Sequence, residues 1–180
     1  MIRLLDIIFS FLGLILFFPF FILIFLVGFL DTGFPLFIQK RVGLNLKNFI
    51  LIKFRTMKIG TLFVATHLID KSNITRHGYF LRKFKLDELP QLLNVLLGHM
   101  SLVGPRPCLP NQKRLIIERK KRGLFKVRPG ITGLAQVSGI NMSRPVILAK
   151  ADLKMTKQMN LFYYFYYIFK TVSLIFSKGS

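Results

Sequence analysis

Acidic residues are scarce in this sequence, and their scarcity narrows what the protein can bind. Seven Asp and Glu residues stand against 27 Lys and Arg, which gives a formal charge of +20 over 180 residues. A charge of this size favours an anionic partner: an acidic membrane surface, a phosphorylated ligand or nucleic acid. Because 52% of the residues are hydrophobic, the chain is not a disordered basic tail, and its length fits one domain with a modest core.

Cysteine and the common nucleotide-binding motifs are also missing or nearly so. Cys108 is the single cysteine, so an internal disulfide and a cysteine metal cluster are excluded, and a reducing compartment is favoured. No glycine fingerprint of the Walker or Rossmann kind is present, and His67 and His77 have no partner at metal-ligand spacing. The sequence contains no recognised nucleic-acid-binding motif, so we expect no nucleic-acid partner.

One long apolar run is present at the N terminus. Leu4 to Leu30 is 27 residues with Asp6 as its only charge, which predicts a membrane-embedded segment at residues 1–31. A signal peptide is disfavoured, because the run is too long and no small-residue cleavage site follows. Two alternatives stay open: a straight span, and a re-entrant hairpin broken at Pro19 with arms of about 15 and 11 residues, each too short to cross. Since 26 of the basic residues follow the run, the positive-inside rule places residues 32–180 on the cytoplasmic side in either case.

Short strands and turns are predicted after the apolar run. Lys53 and Arg55 alternate with Ile52 and Phe54 in a strand pattern, so we expect both cations on one face of that strand. Residues 60–78 show no periodicity and predict a loop. The remaining pattern predicts these elements: a turn at 31–33, an apolar stretch at 35–38, a second turn at 39–43 and the strand at 49–55.

Two helices are predicted in the C-terminal half. Residues 111–122 form a basic helix, most simply a solvated or membrane-facing one. Residues 161–176 are rich in Phe and Tyr but carry Lys170 near the centre, so the segment is too short and too polar to span a bilayer. Its tyrosines favour the headgroup zone, which predicts an interfacial helix; an aromatic core helix is the alternative.

Asp87 and Glu88 are the one adjacent pair of acids, and three cations precede them: Arg82, Lys83 and Lys85. An apolar helical pattern follows over Leu89–Leu97, with Asp87 as the predicted N-cap and Pro90 in the first turn. The N–H groups at such a helix start attract phosphate. Successive helical residues diverge by about 100°, so the two acids suit different roles, one as a nucleophile towards phosphorus and one as a ligand of a divalent cation. On these residues alone, a capping Asp beside an ordinary first-turn Glu is the alternative.

Two loops further along favour the same chemistry. Arg106 stands between Pro105 and Pro107, which restrict its backbone and suit bidentate binding of phosphate. Residues 128–137 are punctuated by glycines, which lets the backbone approach a ligand closely.

Five motifs in a fixed order carry a resemblance to a known family. They are Lys53–Met57, Leu81–Arg82, Leu86–Leu92 with Asn94–Leu96, Met100–Pro107 and Arg128–Val137. Together with the N-terminal apolar run and its proline, they resemble the bacterial sugar transferases, in the small single-domain form of the monotopic phosphoglycosyl transferases that act on polyprenyl phosphate. The resemblance covers about residues 2–172 and is far more specific than any one motif.

The resemblance implies both a reaction and a set of roles. A sugar-1-phosphate passes from a UDP-sugar to polyprenyl (undecaprenyl) phosphate, UMP leaves, and a covalent phosphosugar forms on the aspartate of the Asp-Glu pair. Carried over, Asp87 is the nucleophile, Glu88 is its partner, and the two hold Mg²⁺. The remaining candidates are Arg82, Arg106 and Arg128 for phosphate contacts, Lys53 and Arg55 behind them, and Thr132 and Gln136 in the donor pocket.

The resemblance also implies an architecture and a place in the cell. We expect a helix-rich α/β domain with a short β-sheet, a re-entrant N-terminal hairpin and interfacial helices, on the cytoplasmic face of the bacterial inner membrane. The expected partners are the UDP-sugar donor, polyprenyl phosphate and anionic bilayer headgroups. A non-enzymatic basic protein that binds anionic lipid or nucleic acid is the alternative; it predicts binding that weakens with salt and is indifferent to the acid pair.

Several positions depart from the family pattern. Phe18 stands where serine is common before the hairpin proline, Lys40 and His99 replace acidic residues, and Ile140 replaces an arginine. Residues 150–160 keep Asp152 but lack the aromatic residues that follow it in the family. These departures bear on sugar specificity and on the C-terminal part of the pocket, and they leave the acid pair intact.

Overall fold

The computed structural model describes residues 1–61 and 71–177. Within this range the chain is a mixed, helix-rich α/β protein with two small two-stranded sheets, as the sequence predicts in outline. The described helices are α1 Ile2–Leu16, α2 Phe18–Thr32, α3 Arg76–Lys83, α4 Gln91–Leu96, α5 Lys113–Lys121, α6 Leu134–Val137, α7 Pro145–Gln158 and α8 Leu161–Ser177. The described strands are β1 Leu36–Val42, β2 Asn48–Phe54, β3 Ser101–Val103 and β4 Gly130–Thr132.

The N-terminal apolar run is a bent pair of helices. α1 and α2 are 15 residues each, and the chain bends by 62° between them. No helix in the described ranges is both long and apolar enough to cross a bilayer alone, but the bent pair satisfies that test together by length and composition. The break falls at Phe17 and not at Pro19 as predicted, because proline is tolerated in the first turn of a helix and so lies near the start of α2.

The first helix packs on the rest of the fold. A Cβ added at Gly13 would lie 3.1 Å from Cδ1 of Leu92, so α1 and the α4 segment approach closely there. The Arg3 guanidinium donates to the carbonyl oxygens of Leu96 at 3.1 Å and Met100 at 3.3 Å. α1 is therefore attached to the body by polar bonds as well as by apolar contact.

The first sheet is an antiparallel hairpin. β1 pairs with β2 from Leu36 opposite Phe54 to Val42 opposite Asn48. The turn predicted at residues 39–43 is wrong: the strand continues through this polar stretch, and the reversal is made by residues 43–47, where Asn45 has a φ of 52°. The strand predicted at 49–55 is confirmed within one residue at each end.

A buried asparagine joins α4 to this hairpin. Asn94 of α4 donates its Nδ2 to the Ile50 carbonyl oxygen at 2.7 Å and accepts from the Ile52 amide at 3.1 Å. The side-chain amide thus takes the place of a neighbouring strand along the free edge of β2. This attachment fixes the segment that carries the acid pair against the strand that carries Lys53.

The second sheet is a short parallel pair, β3 beside β4. A Cβ at Gly130 would lie 2.0 Å from the Gly104 amide nitrogen, so the two backbones touch and no side chain fits between them. The Gly104 amide donates to the Thr132 carbonyl oxygen at 2.8 Å, and the Gly130 amide donates to the Pro105 carbonyl oxygen at 2.9 Å. The two loops singled out in the sequence are therefore one interlocked unit that leads into Arg106.

Three helices, α3, α5 and α8, test elements that were predicted from the sequence. α5 and α8 match the helices predicted at 111–122 and 161–176. α3 begins at Arg76, so the loop predicted at 60–78 ends earlier than expected; the Thr75 hydroxyl caps it by accepting from the Gly78 amide at 2.9 Å. Residues 62–70 of that loop, His67 included, lie outside the described residues. α8 buries Tyr164 and Tyr167 and exposes one apolar face: Phe162, Tyr166, Phe169, Val172 and Phe176.

Candidate active site

The acid pair lies in a short turn and not at the start of a long helix. Leu86–Glu88 is a 3₁₀ turn, and α4 begins only at Gln91. The predicted N-cap role of Asp87 is therefore wrong. Pro90 has no N–H to donate to the Leu86 carbonyl, so regular helical bonding cannot begin at the acids. The chain instead makes i to i−3 bonds, such as the Leu89 amide to the Leu86 carbonyl oxygen at 3.2 Å.

Both acids are nearly buried, and their environments shift their pKa values in opposite directions. Asp87 is 8% exposed and Glu88 is 9% exposed. Burial, helped by the neighbouring Glu88, raises the pKa of Asp87 to about 6, against the opposing effect of Lys53, Arg82 and Arg106. Burial also acts to raise the pKa of Glu88, but Arg106 outweighs it and holds that pKa below the ordinary value. Two neighbouring carboxyl groups with diverging pKa values are typical of a catalytic site.

Arg106 is bound to Glu88 and faces solvent. Its Nη2 donates to Glu88 Oε1 at 2.6 Å, and the ion pair with Glu88 raises the pKa of Arg106. The Arg106 side chain is still 42% exposed. The Asp87 carboxylate, by contrast, accepts no hydrogen bond from any residue in the described ranges. Glu88 is therefore paired with a cation, whereas the oxygens of Asp87 are not engaged by any of the described residues.

Two further cations approach the pair from other elements. Lys53 comes from β2; burial lowers its pKa to about 8, although Asp87 acts in the opposite direction. Arg82 comes from α3, and its Nε donates to Thr56 Oγ1 at 2.9 Å. Burial lowers the pKa of Arg82, and Asp87 opposes this shift as well. Both cations therefore lower the pKa of Asp87, while their contacts with a phosphate stay a prediction.

A cleft of about 430 Å³ opens beside the acid pair. Its wall includes Lys85, just before the acids, and Gln91, just after them, although the acids themselves are not among the lining residues. Gln136, predicted in the donor pocket, lines this cleft and donates Nε2 to the Gly104 carbonyl oxygen at 3.2 Å. The cationic lining consists of Arg41, Lys53, Lys85 and Arg106. This cleft is large and basic enough for a diphosphate-bearing ligand.

Three predicted site residues are not brought to the pair. Arg55 lies beyond the end of β2 and donates to the carbonyl oxygens of Phe34 at 2.8 Å and Leu36 at 3.2 Å. Arg55 and Lys53 do share one face, as predicted, since Lys53 Nζ and Arg55 Cζ lie 5.1 and 5.5 Å from the centroid of the Phe37 ring. The guanidinium of Arg55 is nevertheless bound to backbone carbonyl oxygens and not to the acids. Thr132 is buried and hydrogen-bonded to Thr171 of α8.

Arg128 is the third of these residues. Its Nε donates to the Gly98 carbonyl oxygen at 2.9 Å, and its side chain lines a separate cavity of about 360 Å³ together with Arg3 and Lys126. Arg128 is not among the groups that shift the pKa of Asp87 or Glu88. A sequence motif places a residue near the site along the chain, but the direction of its side chain depends on partners that the motif does not show.

Arg41 was missed because its stretch was interpreted as a turn. It lies in β1 and lines the cleft, and its Nη1 donates to the Pro107 carbonyl oxygen at 2.9 Å. Burial, and next the charge of Arg106, lower its pKa to about 10. Continuing the strand pattern through residues 39–43 would have identified it.

Arg119 and Asp152 were also missed as parts of the site. The two form an ion pair of 2.7 Å, with side chains 3% and 0% exposed. Arg119 Nη1 also donates to the Arg106 carbonyl oxygen at 2.7 Å. This closed pair therefore holds the backbone of the residue that binds Glu88.

The acid pair has a donor set that fits magnesium held partly by substrate. Within the described ranges, no group of three or more His, Cys, Asp or Glu is placed to hold a metal ion by itself. Mg²⁺ is commonly bound by one or two carboxylates together with substrate phosphates and water. Arg106 binds one oxygen of Glu88, Oε1. The other Glu88 oxygen and the Asp87 carboxylate remain as donors next to the basic cleft, so the residues present fit the ion.

Comparison with known proteins identifies the family. The family model described as bacterial sugar transferase matches residues 1–178. The chain therefore belongs to the bacterial sugar transferase family.

Three relatives show the range of similarity. A Bacillus subtilis protein named uncharacterized sugar transferase EpsL is 48% identical over 113 residues, 62% of this chain and 55% of that one. The exopolysaccharide production protein ExoY of Rhizobium meliloti is 34% identical over 194 residues, 97% of this chain and 85% of that one. A Xanthomonas campestris UDP-glucose:undecaprenyl-phosphate glucose-1-phosphate transferase is 44% identical over 117 residues, 61% of this chain and 24% of that one. The chain thus spans about half of the Bacillus relative and most of ExoY.

Proposed function

We propose that this protein transfers a sugar-1-phosphate from a UDP-sugar to polyprenyl phosphate, with release of UMP and a covalent phosphosugar on Asp87. The single observation that carries the proposal is the difference between the two acids. Glu88 is bound by Arg106, whereas Asp87 accepts no hydrogen bond from the described residues and has a pKa of about 6. At neutral pH such a carboxylate is ionised and unencumbered, as a nucleophile must be. The name of the Xanthomonas relative supports the same donor and acceptor classes.

The reaction consists of two displacements at one phosphorus. An Asp87 carboxylate oxygen attacks the β-phosphorus of the donor, the bond from that phosphorus to the UMP oxygen breaks, and UMP leaves with the electron pair. An oxygen of the acceptor phosphate then attacks the same phosphorus, and the bond to Asp87 breaks, which restores the carboxylate. The covalent step divides one difficult reaction between two bulky anions into two easier ones.

The cations around the cleft match the charge of the substrates. Lys53, Arg41 and Arg106 line the cleft, where they would bind the diphosphate of the donor and neutralise charge that builds up on its oxygens. Asp87 and Glu88 would hold Mg²⁺, which supplies further neutralisation of phosphoryl oxygens when it is bound.

A second, entirely apolar groove suits the chain of the acceptor. It has a volume of about 330 Å³ and no polar surface. Ile52 and Phe54, which flank Lys53, line it, and so does Pro90, two residues after Glu88. The rest of the wall comes from α2 and its surroundings: Phe21, Ile22, Phe25, Leu26, Leu36 and Leu93. A polyprenyl chain in this groove would bring its phosphate towards the acid pair.

The exposed apolar surface favours a bilayer location. Large apolar side chains are exposed along both α1 and α2, and the aromatic face of α8 is exposed too. A bilayer would cover these surfaces, with the bent helix pair inserted as a re-entrant hairpin and α8 at the headgroups. With 26 cations after the apolar run, the catalytic part belongs on the cytoplasmic face of the bacterial inner membrane.

Trapping the intermediate tests the proposal. The full chain in liposomes, incubated with a panel of UDP-sugars and Mg²⁺ but no acceptor, should release about one UMP per protein and gain the mass of one sugar phosphate on a peptide containing Asp87. Adding polyprenyl phosphate should remove that mass. Asp87→Asn should show neither event, while the same change at exposed Asp31 should show both. Equal labelling of the Asp87→Asn protein would overturn the nucleophile assignment.

A further inference from the structure

Asp6 is a buried charge in an otherwise apolar helix. It lies in α1, where large apolar residues on other faces are exposed, yet only 2% of its own surface is accessible. Its Oδ1 accepts three hydrogen bonds: from Ser101 Oγ at 3.0 Å, from the Leu102 amide at 2.9 Å and from the Tyr164 hydroxyl at 3.0 Å. A buried carboxylate costs several kcal/mol unless such donors satisfy it, so the arrangement is built and not incidental.

Three parts of the fold meet at this one oxygen. Asp6 belongs to α1, Ser101 and Leu102 belong to β3, and Tyr164 belongs to α8. Burial, together with the charge of Asp6, raises the pKa of Tyr164, so its hydroxyl stays protonated as a donor. No cation among the described residues pairs with Asp6, since Arg3 donates to backbone carbonyl oxygens instead.

The strand held by Asp6 leads directly to the acid pair. β3 ends at Val103; the next amide, at Gly104, is bonded to β4, and Arg106 follows two residues later. Arg106 then donates to Glu88 at 2.6 Å. Only three residues, in a backbone held by glycine contacts, separate Leu102 from Arg106. A shift of β3 therefore reaches the Arg106 guanidinium with little chain in between to absorb it.

We propose that Asp6 is a positioning residue: from the first N-terminal helix it sets where Arg106 meets Glu88, so that the acid pair is correctly assembled only when α1 is seated on β3 and α8. The inference rests on the proposed function, because it assigns Arg106 and Glu88 to the reaction. The hydrogen bonds of Asp6 are not needed merely to attach α1, because Arg3 and the close packing at Gly13 attach this helix as well.

The chain offers a graded set of variants and a matched control. Asp6→Asn keeps the shape but replaces a charged acceptor by a weaker neutral one. Tyr164→Phe and Ser101→Ala each remove one donor and leave the carboxylate in place. Ser10→Ala is the control: Ser10 lies one turn further along α1, is equally buried, and its hydroxyl has no hydrogen-bond partner among the described residues.

A double-mutant cycle separates positioning from a purely structural role. In liposomes Asp6→Asn should lower the rate of UMP release about tenfold, inside the range of about 5- to 150-fold typical of coupling between two sites, while Ser10→Ala changes it less than about twofold. In an Arg106→Ala background the same Asp6→Asn change should cost less than about twofold, because the contact that it positions is already lost. Equal losses in both backgrounds would overturn the proposal.

Amide hydrogen exchange supplies a readout that does not depend on the reaction. Asp6→Asn should speed exchange at residues 101–106 without changing exchange in α5, and unchanged exchange at 101–106 would overturn the proposal. If Asp6→Asn does not fold, Tyr164→Phe gives the same two tests with a smaller effect. If Asp87→Asn still turns over, the proposed function fails, while the exchange result still decides whether Asp6 positions the Arg106 loop.

Discussion

Two arginine–carboxylate pairs are neighbours in this protein and are joined through the backbone of Arg106. Arg106 and Glu88 meet at 2.6 Å, Arg119 and Asp152 at 2.7 Å, and Arg119 also binds the carbonyl oxygen of Arg106. Their surroundings differ: the Arg119–Asp152 side chains are at most 3% exposed, whereas the Arg106 side chain is 42% exposed. The first pair faces a cleft and the second faces the interior.

The charge balance of the two pairs differs in the same way. Arg119 and Asp152 are matched one to one in charge and are closed off from solvent, so the pair presents no charge to a ligand. The buried Asp152 Oδ1 accepts no hydrogen bond from the described residues. Around Glu88 and Asp87 the cations outnumber the acids, and Asp87 is left without a donor in the described ranges. An ion pair of ideal length is therefore not a sign of function. Function is indicated where charges remain unsatisfied beside an open cleft.

The largest effect should come from neutralising the open carboxylate. Asp87→Asn should lower sugar-phosphate transfer about 10⁴-fold or more, as loss of a nucleophile does elsewhere. Transfer of radiolabelled sugar phosphate to lipid in a single turnover measures it. Glu88→Gln keeps the nucleophile and should retain the covalent step at a reduced rate; equal residual transfer in both variants would contradict the division of roles.

The same Asp87→Asn change should stabilise the fold. The pKa of Asp87 in the folded protein, about 6, lies above the ordinary value of 3.8, so folding favours the protonated form. Stability from this group is present below pH 3.8 and is lost as the pH rises through 6, which makes the ionised form unfavourable at pH 7. A permanently neutral Asn should raise Tm by a few degrees, at about 2–4 °C per kcal/mol. A lower Tm in detergent would contradict this explanation.

Breaking the Arg119–Asp152 pair should lower the stability of the fold more than it lowers the rate of transfer. Arg119→Met leaves Asp152 buried without its cation and should lower the free energy of unfolding by about 3–5 kcal/mol. Adding Asp152→Leu removes the stranded charge and should recover most of that loss, which urea unfolding in micelles measures. If the double variant is no more stable than Arg119→Met, the pair does more than neutralise itself.

The acid pair and its strand neighbour were accessible to sequence analysis because their signals are local. Asp87 and Glu88 are the one adjacent pair of acids, and Lys53 lies in a clear strand pattern. Side-chain directions set by distant partners were not accessible: Arg55 and Arg128 bind carbonyl oxygens elsewhere. The role of Asp6 depends on donors more than 90 residues away along the chain, which a count of charges in an apolar run does not show.

The pH dependence of transfer should follow the ionisation of Asp87 and of Lys53. Below about pH 6 Asp87 gains a proton and stops being a nucleophile, and above about pH 8 Lys53 loses its proton and no longer attracts phosphate. Transfer should therefore peak near pH 7 and fall about tenfold per pH unit on each side. Lys53→Arg keeps the charge at high pH and should remove the alkaline limb. An alkaline limb that persists in this variant would assign it to another group.

The smallest effect separates two cations that the strand pattern had grouped together. Arg55→Ala removes hydrogen bonds to the Phe34 and Leu36 carbonyl oxygens, and Arg55 is not bonded to the acid pair. Transfer should therefore change less than about twofold, while the free energy of unfolding falls by about 1 kcal/mol. Lys53→Ala should lower transfer about 10²-fold or more, since it removes a cation from the cleft. Matched transfer assays on the two variants in liposomes, with unfolding followed in urea, decide between them. Equal losses of transfer would mean that Arg55 turns towards the substrates when they bind, and the distinction drawn between the two residues would fail.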